Sequence, residues 1–276
     1  MKSINNWGGM TMRIQWTALA IAVLVGLCAP AKVWADNTTC ANAEALMLGE
    51  TASDTLPASG DIYYKLRLVA GRSYTFMAWI PFEDLGEGGG DLSVSVYQDT
   101  TCTTLVSSTT SVGSDSEPSL SFPNADGDTW SFVAPVTGNY RFQINNQVAS
   151  LYTVRGVAIE TTLFSPWWFV GGNNNAFVEI KNTTNATRSV TLTAYTAAGA
   201  VCGTSTVSVP ANGNTAVNIK SLGTCAAAVS GGSQIAHNGQ VGSFVANTTT
   251  IDVVSGTSFD APFSTRMGWG VSFTAR

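Results

Sequence analysis

Apolar and polar residues alternate one by one through most of the chain, and this spacing most constrains the fold. In one eight-residue segment, Tyr64, Leu66 and Leu68 fall on one side of an extended chain, while Lys65 and Arg67 fall on the other. A period of two residues is typical of a strand with one buried face. After the first 35 residues, no segment keeps the 3.6-residue spacing of an amphipathic helix over a dozen residues.

A second strand is predicted directly after the first, across a turn at Gly71. Tyr74 and Phe76 alternate there with Ser73 and Thr75, and the two strands are expected to pair as a hairpin. The same alternation predicts further strands at 92–96, 130–132, 140–144, 151–157, 176–180, 190–194, 207–209, 216–219 and 244–245. Short strands separated by Gly, Pro and Asn turns predict an all-β chain of antiparallel β-sandwiches.

The distribution of charge predicts two consecutive domains. Residues 36–157 hold 14 acidic and 5 basic side chains, a balance of -9, whereas residues 158–276 hold 4 acidic and 5 basic ones, a balance of +1. Roughly 240 residues also exceed what one sandwich of seven to nine strands normally uses. We therefore predict one β-sandwich over 36–158 and a second over 159–276.

The first 35 residues have the pattern of a cleaved secretory signal peptide. Arg13 precedes an apolar run at 18–27, and small residues lie near Ala35, where a signal peptidase would cut. The run is shorter than the roughly 20 residues that a membrane span needs. We expect export to the periplasm, the cell surface or the extracellular space and a mature chain from Asp36, with Met12 as an alternative start.

Four cysteines follow this segment: Cys40, Cys102, Cys202 and Cys225. An even number of cysteines in an exported chain predicts disulfide bonds. Three pairings exist, and the division into two domains favours Cys40 with Cys102 and Cys202 with Cys225. No two of them have the close spacing of a zinc or iron–sulfur site.

The composition argues against several classes of function. Only 11% of the residues are charged, the net charge is -5, and there is one histidine. Few basic residues argue against nucleic-acid binding. His237 is the sole ordinary base for a nucleophile, but Ser233, four residues earlier in a strand, would lie about 13 Å away. We therefore predict no catalytic residue.

Two groups of acidic side chains beside glycines are candidate calcium sites. The first group is Glu83, Asp84, Glu87 and Asp91. The second group is Asn124, Asp126 and Asp128. Calcium takes six to eight oxygen ligands from carboxylates and carbonyls, and extracellular modules often bind it weakly. The alternative for the second group is a solvated turn, because Asn, Asp and Gly are common in turns.

Two adjacent tryptophans, Trp167 and Trp168, are candidate ligand-binding residues. Neighbouring residues of a strand point to opposite faces, so at least one ring is expected on the surface or at the domain boundary. Exposed aromatic rings mark binding surfaces, and a tryptophan face can stack on a sugar. The alternative is one ring in the core and the other packed between the domains.

Three blocks of residues follow one another in the first predicted domain. They are DIYYKLRL with AGRSYTF at 61–76, DLSVSVY at 91–97 and FVAPVTGNYRF at 132–142. In order and spacing over residues 40–158 they resemble the bacterial pre-peptidase C-terminal domain, whose last block is a closing hairpin. The resemblance implies a jelly-roll-like sandwich, noncatalytic in secreted proteases and other hydrolases, and some family members bind calcium. We expect Gly71 and Gly138 to take a positive φ, with the following tyrosines on the core face.

The second predicted domain resembles a different class of module. The turn at 210–213 and the segment 256–263 loosely resemble Ig-like modules of bacterial surface proteins.

Together, the features of the whole sequence predict a secreted, noncatalytic accessory, adhesion or substrate-attachment module. We expect it not to span a membrane and to have an extracellular glycan or protein as its partner. The alternatives are a structural subunit of an extracellular assembly and a secreted hydrolase of an unrecognised type.

Overall fold

Seventeen strands and one four-residue helix lie in the described part of the chain in the computed structural model. The described residues are 36–81, 92–106, 126–146, 151–252 and 268–275. In chain order, β1 to β8 are Glu44–Ala45, Thr51–Leu56, Asp61–Leu68, Ser73–Ile80, Leu92–Tyr97, Asp126–Val133, Gly138–Asn146 and Tyr152–Glu160. Strands β9 to β17 are Leu163–Phe169, Asn174–Asn182, Arg188–Thr196, Val201–Val209, Asn214–Asn218, Ser230–His237, Phe244–Asp252, Gly268–Ser272 and Thr274–Ala275, and α1 is Cys225–Ala228. The all-β prediction is confirmed.

The first eight strands form two four-stranded sheets. Their orders are β1-β3-β7-β5 and β2-β8-β4-β6. Consecutive strands therefore alternate strictly between the two sheets, and each connection leads from one sheet to the other. All neighbouring strands pair antiparallel except β1, whose two residues run parallel to β3.

The predicted hairpin between β3 and β4 is wrong. β3 has the predicted bounds, but it pairs with β7, whereas β4 pairs with β6 and β8. β6 and β7, the second expected hairpin, also lie in opposite sheets. Gly71 does take a positive φ, +73°, but its turn joins the two sheets. The expectation for Gly138 is wrong, because this residue begins β7 without a positive φ.

An aromatic core lies between these two sheets. Phe76 of β4 and Phe142 of β7 have ring centroids 4.9 Å apart. Tyr74 and Tyr140 lie on the core face, as expected. Each also holds the turn before its strand: the Val69 N–H donates to the Tyr74 hydroxyl (3.0 Å), and the Tyr140 hydroxyl donates to the carbonyl four residues earlier (2.8 Å). The tyrosines therefore fix the turns that lead from sheet to sheet.

The later strands form a second pair of sheets, with the orders β13-β10-β15-β16 and β12-β11-β14-β9-β17. The strands predicted at 176–180, 190–194, 207–209 and 244–245 lie in β10, β11, β12 and β15. β11 and β12 form a hairpin. The predicted turn after β12 is also present: the Gly213 N–H donates to the Pro210 carbonyl (3.0 Å), and Asn212 has φ 52°.

Hydrogen bonds join the two pairs of sheets. The Ser73 N–H donates to Thr162 Oγ1 (2.9 Å), and Gln234 Nε2 donates to the Gly71 carbonyl (2.8 Å). Residues 36–276 form one compact unit that contains two separate hydrophobic clusters. The predicted boundary after residue 158 lies two residues before the end of β8, and the division into two domains stays a prediction.

Two disulfide bonds join cysteines of the described residues, and the second lies within the second hydrophobic cluster. Cys40 is joined to Cys102, and Cys202 is joined to Cys225, which is the pairing that the sequence favoured. The second bond attaches α1 to β12, an outer strand of its sheet, and the Thr224 N–H donates to the Cys202 carbonyl (2.8 Å). This part of the strand edge is thereby covered.

Some predictions fall on residues outside those described. The predicted signal peptide, residues 1–35, is one of them, and the candidate Ig-like segment at 256–263 is another. Within the described ranges, no helix is long and apolar enough to cross a membrane.

Candidate functional site

The structure separates the two candidate tryptophans. Trp168 is completely buried in the second hydrophobic cluster, and its Nε1–H donates to the Gly232 carbonyl (2.8 Å). A ring with both faces packed against protein cannot stack on a ligand, so the prediction of Trp168 as a ligand-binding residue is wrong. Trp167 is 37% exposed on the opposite side of β9.

A β-bulge decides which tryptophan is buried. In the ladder between β9 and β14, Trp168 is opposite Gly231 and Ser165 is opposite Ser233. Two residues of β9, Pro166 and Trp167, therefore oppose the single residue Gly232. An extra residue of this kind reorients the side chains on its strand. Proline, which has no N–H for the ladder, is tolerated at such a position.

The bulge presents two aromatic rings on one face of β9. The rings of Trp167 and Phe169 are parallel to within 3°, with centroids 6.2 Å apart. A Cβ at Gly171 would approach the Phe169 ring to 2.7 Å and Val229 to 2.9 Å, so these two side chains flank the glycine closely. Val229 is itself exposed. We call Trp167, Phe169 and Val229 the aromatic surface.

Uncharged polar residues follow the aromatic surface in the turn between β9 and β10. Asn174 closes this turn, since its N–H and its side chain both donate to the Gly171 carbonyl (3.1 and 3.0 Å). Asn173 is exposed in the same turn. The region therefore combines apolar ring faces with amide groups that can bind hydroxyls.

His237 is held by the main chain at the end of β14. It is 4% exposed, its ring packs against Phe244 with centroids 4.8 Å apart, and Nδ1 accepts a hydrogen bond from the Gly239 N–H (3.2 Å). The main chain of Thr161 forms a further hydrogen bond with the ring. Burial lowers the pKa of His237 from 6.5 to about 4. With its ring bonded in this way, no nitrogen is aimed at a nucleophile.

The candidate calcium ligands lie largely outside the described residues. All of the first group, Glu83, Asp84, Glu87 and Asp91, is outside, and so is Asn124 of the second. The main chain of Asp126 and Asp128 belongs to β6, where it pairs with Ile80 and Ala78 of β4. Within the described ranges, no three His, Cys, Asp or Glu side chains are grouped closely enough to hold a metal ion.

A concavity that the sequence analysis missed lies at one end of the first pair of sheets. Its volume is about 390 Å³. We call it the Arg67 pocket; its lining includes Leu48, Arg67, Val69, Arg72, Tyr74 and Glu160. These residues come from β3, β4, β8 and the turns beside them, so they meet only in the fold. No local sequence pattern could have indicated the pocket.

Comparison with known proteins gives no family for the chain. No protein-family model and no curated protein matches it. Among solved structures, a calcium-binding mutant of Bacteroides uniformis beta-glucuronidase 2 is 12% identical, with a TM-score of 0.18, over 71% of this chain and 24% of that chain. Bacteroides uniformis beta-glucuronidase is 11% identical, with a TM-score of 0.18, over 79% and 26%. The chain spans about a quarter of these enzymes, and neither fold nor activity is carried over from them.

Proposed function

We propose that the protein is exported and acts as a noncatalytic module that attaches to a glycan through the aromatic surface. The observation that carries the proposal is the exposed ring of Trp167, which lies parallel to the partly exposed ring of Phe169. The C–H groups of a sugar ring form apolar faces that pack on aromatic rings, while its hydroxyls need hydrogen-bonding partners. The exposed Asn173 supplies such a partner nearby.

Other features support the remaining parts of the proposal. Two disulfide bonds are typical of proteins that work in an oxidising compartment, and the pattern of residues 1–35 is that of an export signal. The buried, main-chain-bonded His237 favours binding over catalysis. The resemblance to pre-peptidase C-terminal domains favours an accessory role.

The proposal is tested by binding to polysaccharides of defined composition. The purified protein is co-sedimented with cellulose, chitin and peptidoglycan and titrated calorimetrically with soluble xylan and dextran. We expect binding to at least one of them and about two- to tenfold weaker binding for Trp167→Ala, because an aromatic stacking contact is worth about 0.5 to 1.5 kcal/mol. Trp167→Phe should retain part of the affinity.

The control is Val245→Ala, since this apolar side chain is also exposed but lies on β15, outside the aromatic surface. Its affinity should equal that of the unmodified protein. Attachment through the aromatic surface is wrong if no polysaccharide is retained, or if Trp167→Ala binds as tightly as the control.

A further inference from the structure

The Arg67 pocket contains a guanidinium that is not neutralised. Arg72 forms an ion pair with Glu160, with Nη1 3.3 Å from one carboxylate oxygen and 3.4 Å from the other. Its guanidinium also lies 5.4 Å from the centroid of the Phe164 ring. Arg67 is exposed on β3, and the described residues offer it neither an ion pair nor a side-chain hydrogen bond. The pocket therefore carries one positive charge in excess.

The pocket also offers a hydroxyl donor. The Tyr74 hydroxyl accepts a hydrogen bond from the Val69 N–H (3.0 Å), and its own proton has no acceptor among the described residues. Burial raises the pKa of Tyr74, so the hydroxyl keeps this proton at neutral pH. A ligand oxygen in the pocket would find a neutral O–H donor together with the Arg67 charge.

The other side chains of the pocket are apolar. Leu48 and Val69 are 40% and 37% exposed, and both line the pocket together with Ile159. Large apolar side chains left accessible in a concavity favour a ligand with a hydrocarbon portion. They disfavour a strongly hydrated dianion such as phosphate, which would lose water without gaining apolar contact.

We propose that the Arg67 pocket binds a small carboxylate with an apolar body. Arg67 pairs with the carboxylate, the Tyr74 hydroxyl donates to it, and Leu48, Val69 and Ile159 contact the hydrocarbon portion. Arg72 remains bonded to Glu160 and forms a rigid wall. The proposal is independent of glycan attachment, because no residue of the aromatic surface lines this pocket.

The test is calorimetric titration of the full chain with hexanoate, hexan-1-ol, glucuronate and inorganic phosphate. We expect hexanoate to bind and hexan-1-ol to bind about tenfold more weakly, because a charge-assisted hydrogen bond is lost. Arg67→Gln should weaken hexanoate binding by a similar factor. The matched control is Lys65→Gln, which removes the same charge from an exposed residue of the same strand outside the pocket.

Each outcome has a definite meaning. Absence of hexanoate and glucuronate binding, or equal losses for Arg67→Gln and Lys65→Gln, overturns the proposal. Binding of glucuronate but not of hexanoate supports recognition of a carboxylate and overturns the claim that the ligand has an apolar body. If phosphate binds as tightly as hexanoate, the claim that the pocket prefers a carboxylate to other anions is overturned. Trp167→Ala should leave the hexanoate affinity unchanged. A failure of the glycan proposal can therefore be told apart from a failure of the carboxylate proposal.

Discussion

Lowering the pH should destabilise the protein through one side chain, His237. Well above pH 6.5, His237 is almost fully deprotonated in both the folded and the unfolded chain. As the pH falls from 6.5 to about 4, the unfolded chain takes up a proton that the folded chain excludes, because burial holds the folded pKa at about 4. The free energy of unfolding must therefore fall across this window and stop falling, as far as His237 is concerned, below it.

The magnitude follows from the difference between the two pKa values. One pKa unit corresponds to about 1.4 kcal/mol, so a folded pKa of about 4 against 6.5 gives a loss of about 3 kcal/mol. This is a large fraction of the usual stability of a domain, roughly 5 to 15 kcal/mol.

The assay compares unfolding by urea at pH 7, 6, 5 and 4, without reductant, for the unmodified protein and His237→Gln. Glutamine cannot take up the proton, so the stability of the variant should fall by about 3 kcal/mol less between pH 7 and 4. Because the chain has one histidine, its Cε1–H resonance also reports the folded pKa directly. Parallel pH profiles for the two proteins, or a resonance that titrates near 6.5, would refute the reasoning.

Three further changes should lower the free energy of unfolding, each measured by urea at pH 7. Trp168→Ala should cost about 3 to 5 kcal/mol, because it leaves a cavity in the second cluster; an unchanged midpoint would contradict this. Arg72→Ala should cost about 1 to 3 kcal/mol, because it leaves the buried Glu160 carboxylate unpaired, and adding Glu160→Gln should restore part of the loss. Replacing Cys202 and Cys225 by serine should cost about 3 kcal/mol, with no such loss when the unmodified protein is already reduced.

The sequence predicted the strands well but not their partners. Alternation fixes which side chains of a strand face the core, and β3 accordingly has its predicted bounds, Asp61–Leu68. It carries no information on the neighbouring strand. A short turn containing Gly71 with a positive φ can close a hairpin or lead to the opposite sheet, so the predicted β3–β4 pairing had no physical basis beyond proximity in sequence.

The candidate site was predictable only in part. Adjacent strand residues had to face opposite ways, so one of Trp167 and Trp168 was expected outside. Which one is outside depends on the bulge at Pro166, and a bulge is defined by the register with another strand. The Arg67 pocket could not be predicted, because Leu48 and Glu160 are more than a hundred residues apart in the chain.

The alternation of consecutive strands between two sheets has a consequence for folding kinetics. In the antiparallel ladders of β1 to β8, even the closest paired residues, Tyr97 and Arg141, are 44 positions apart, since 141 - 97 = 44. In the β11–β12 hairpin, by contrast, Tyr195 pairs with Val201. Because distant pairings form slowly, we expect the β11–β12 hairpin to gain protection from hydrogen exchange before the ladders of β1 to β8 during refolding.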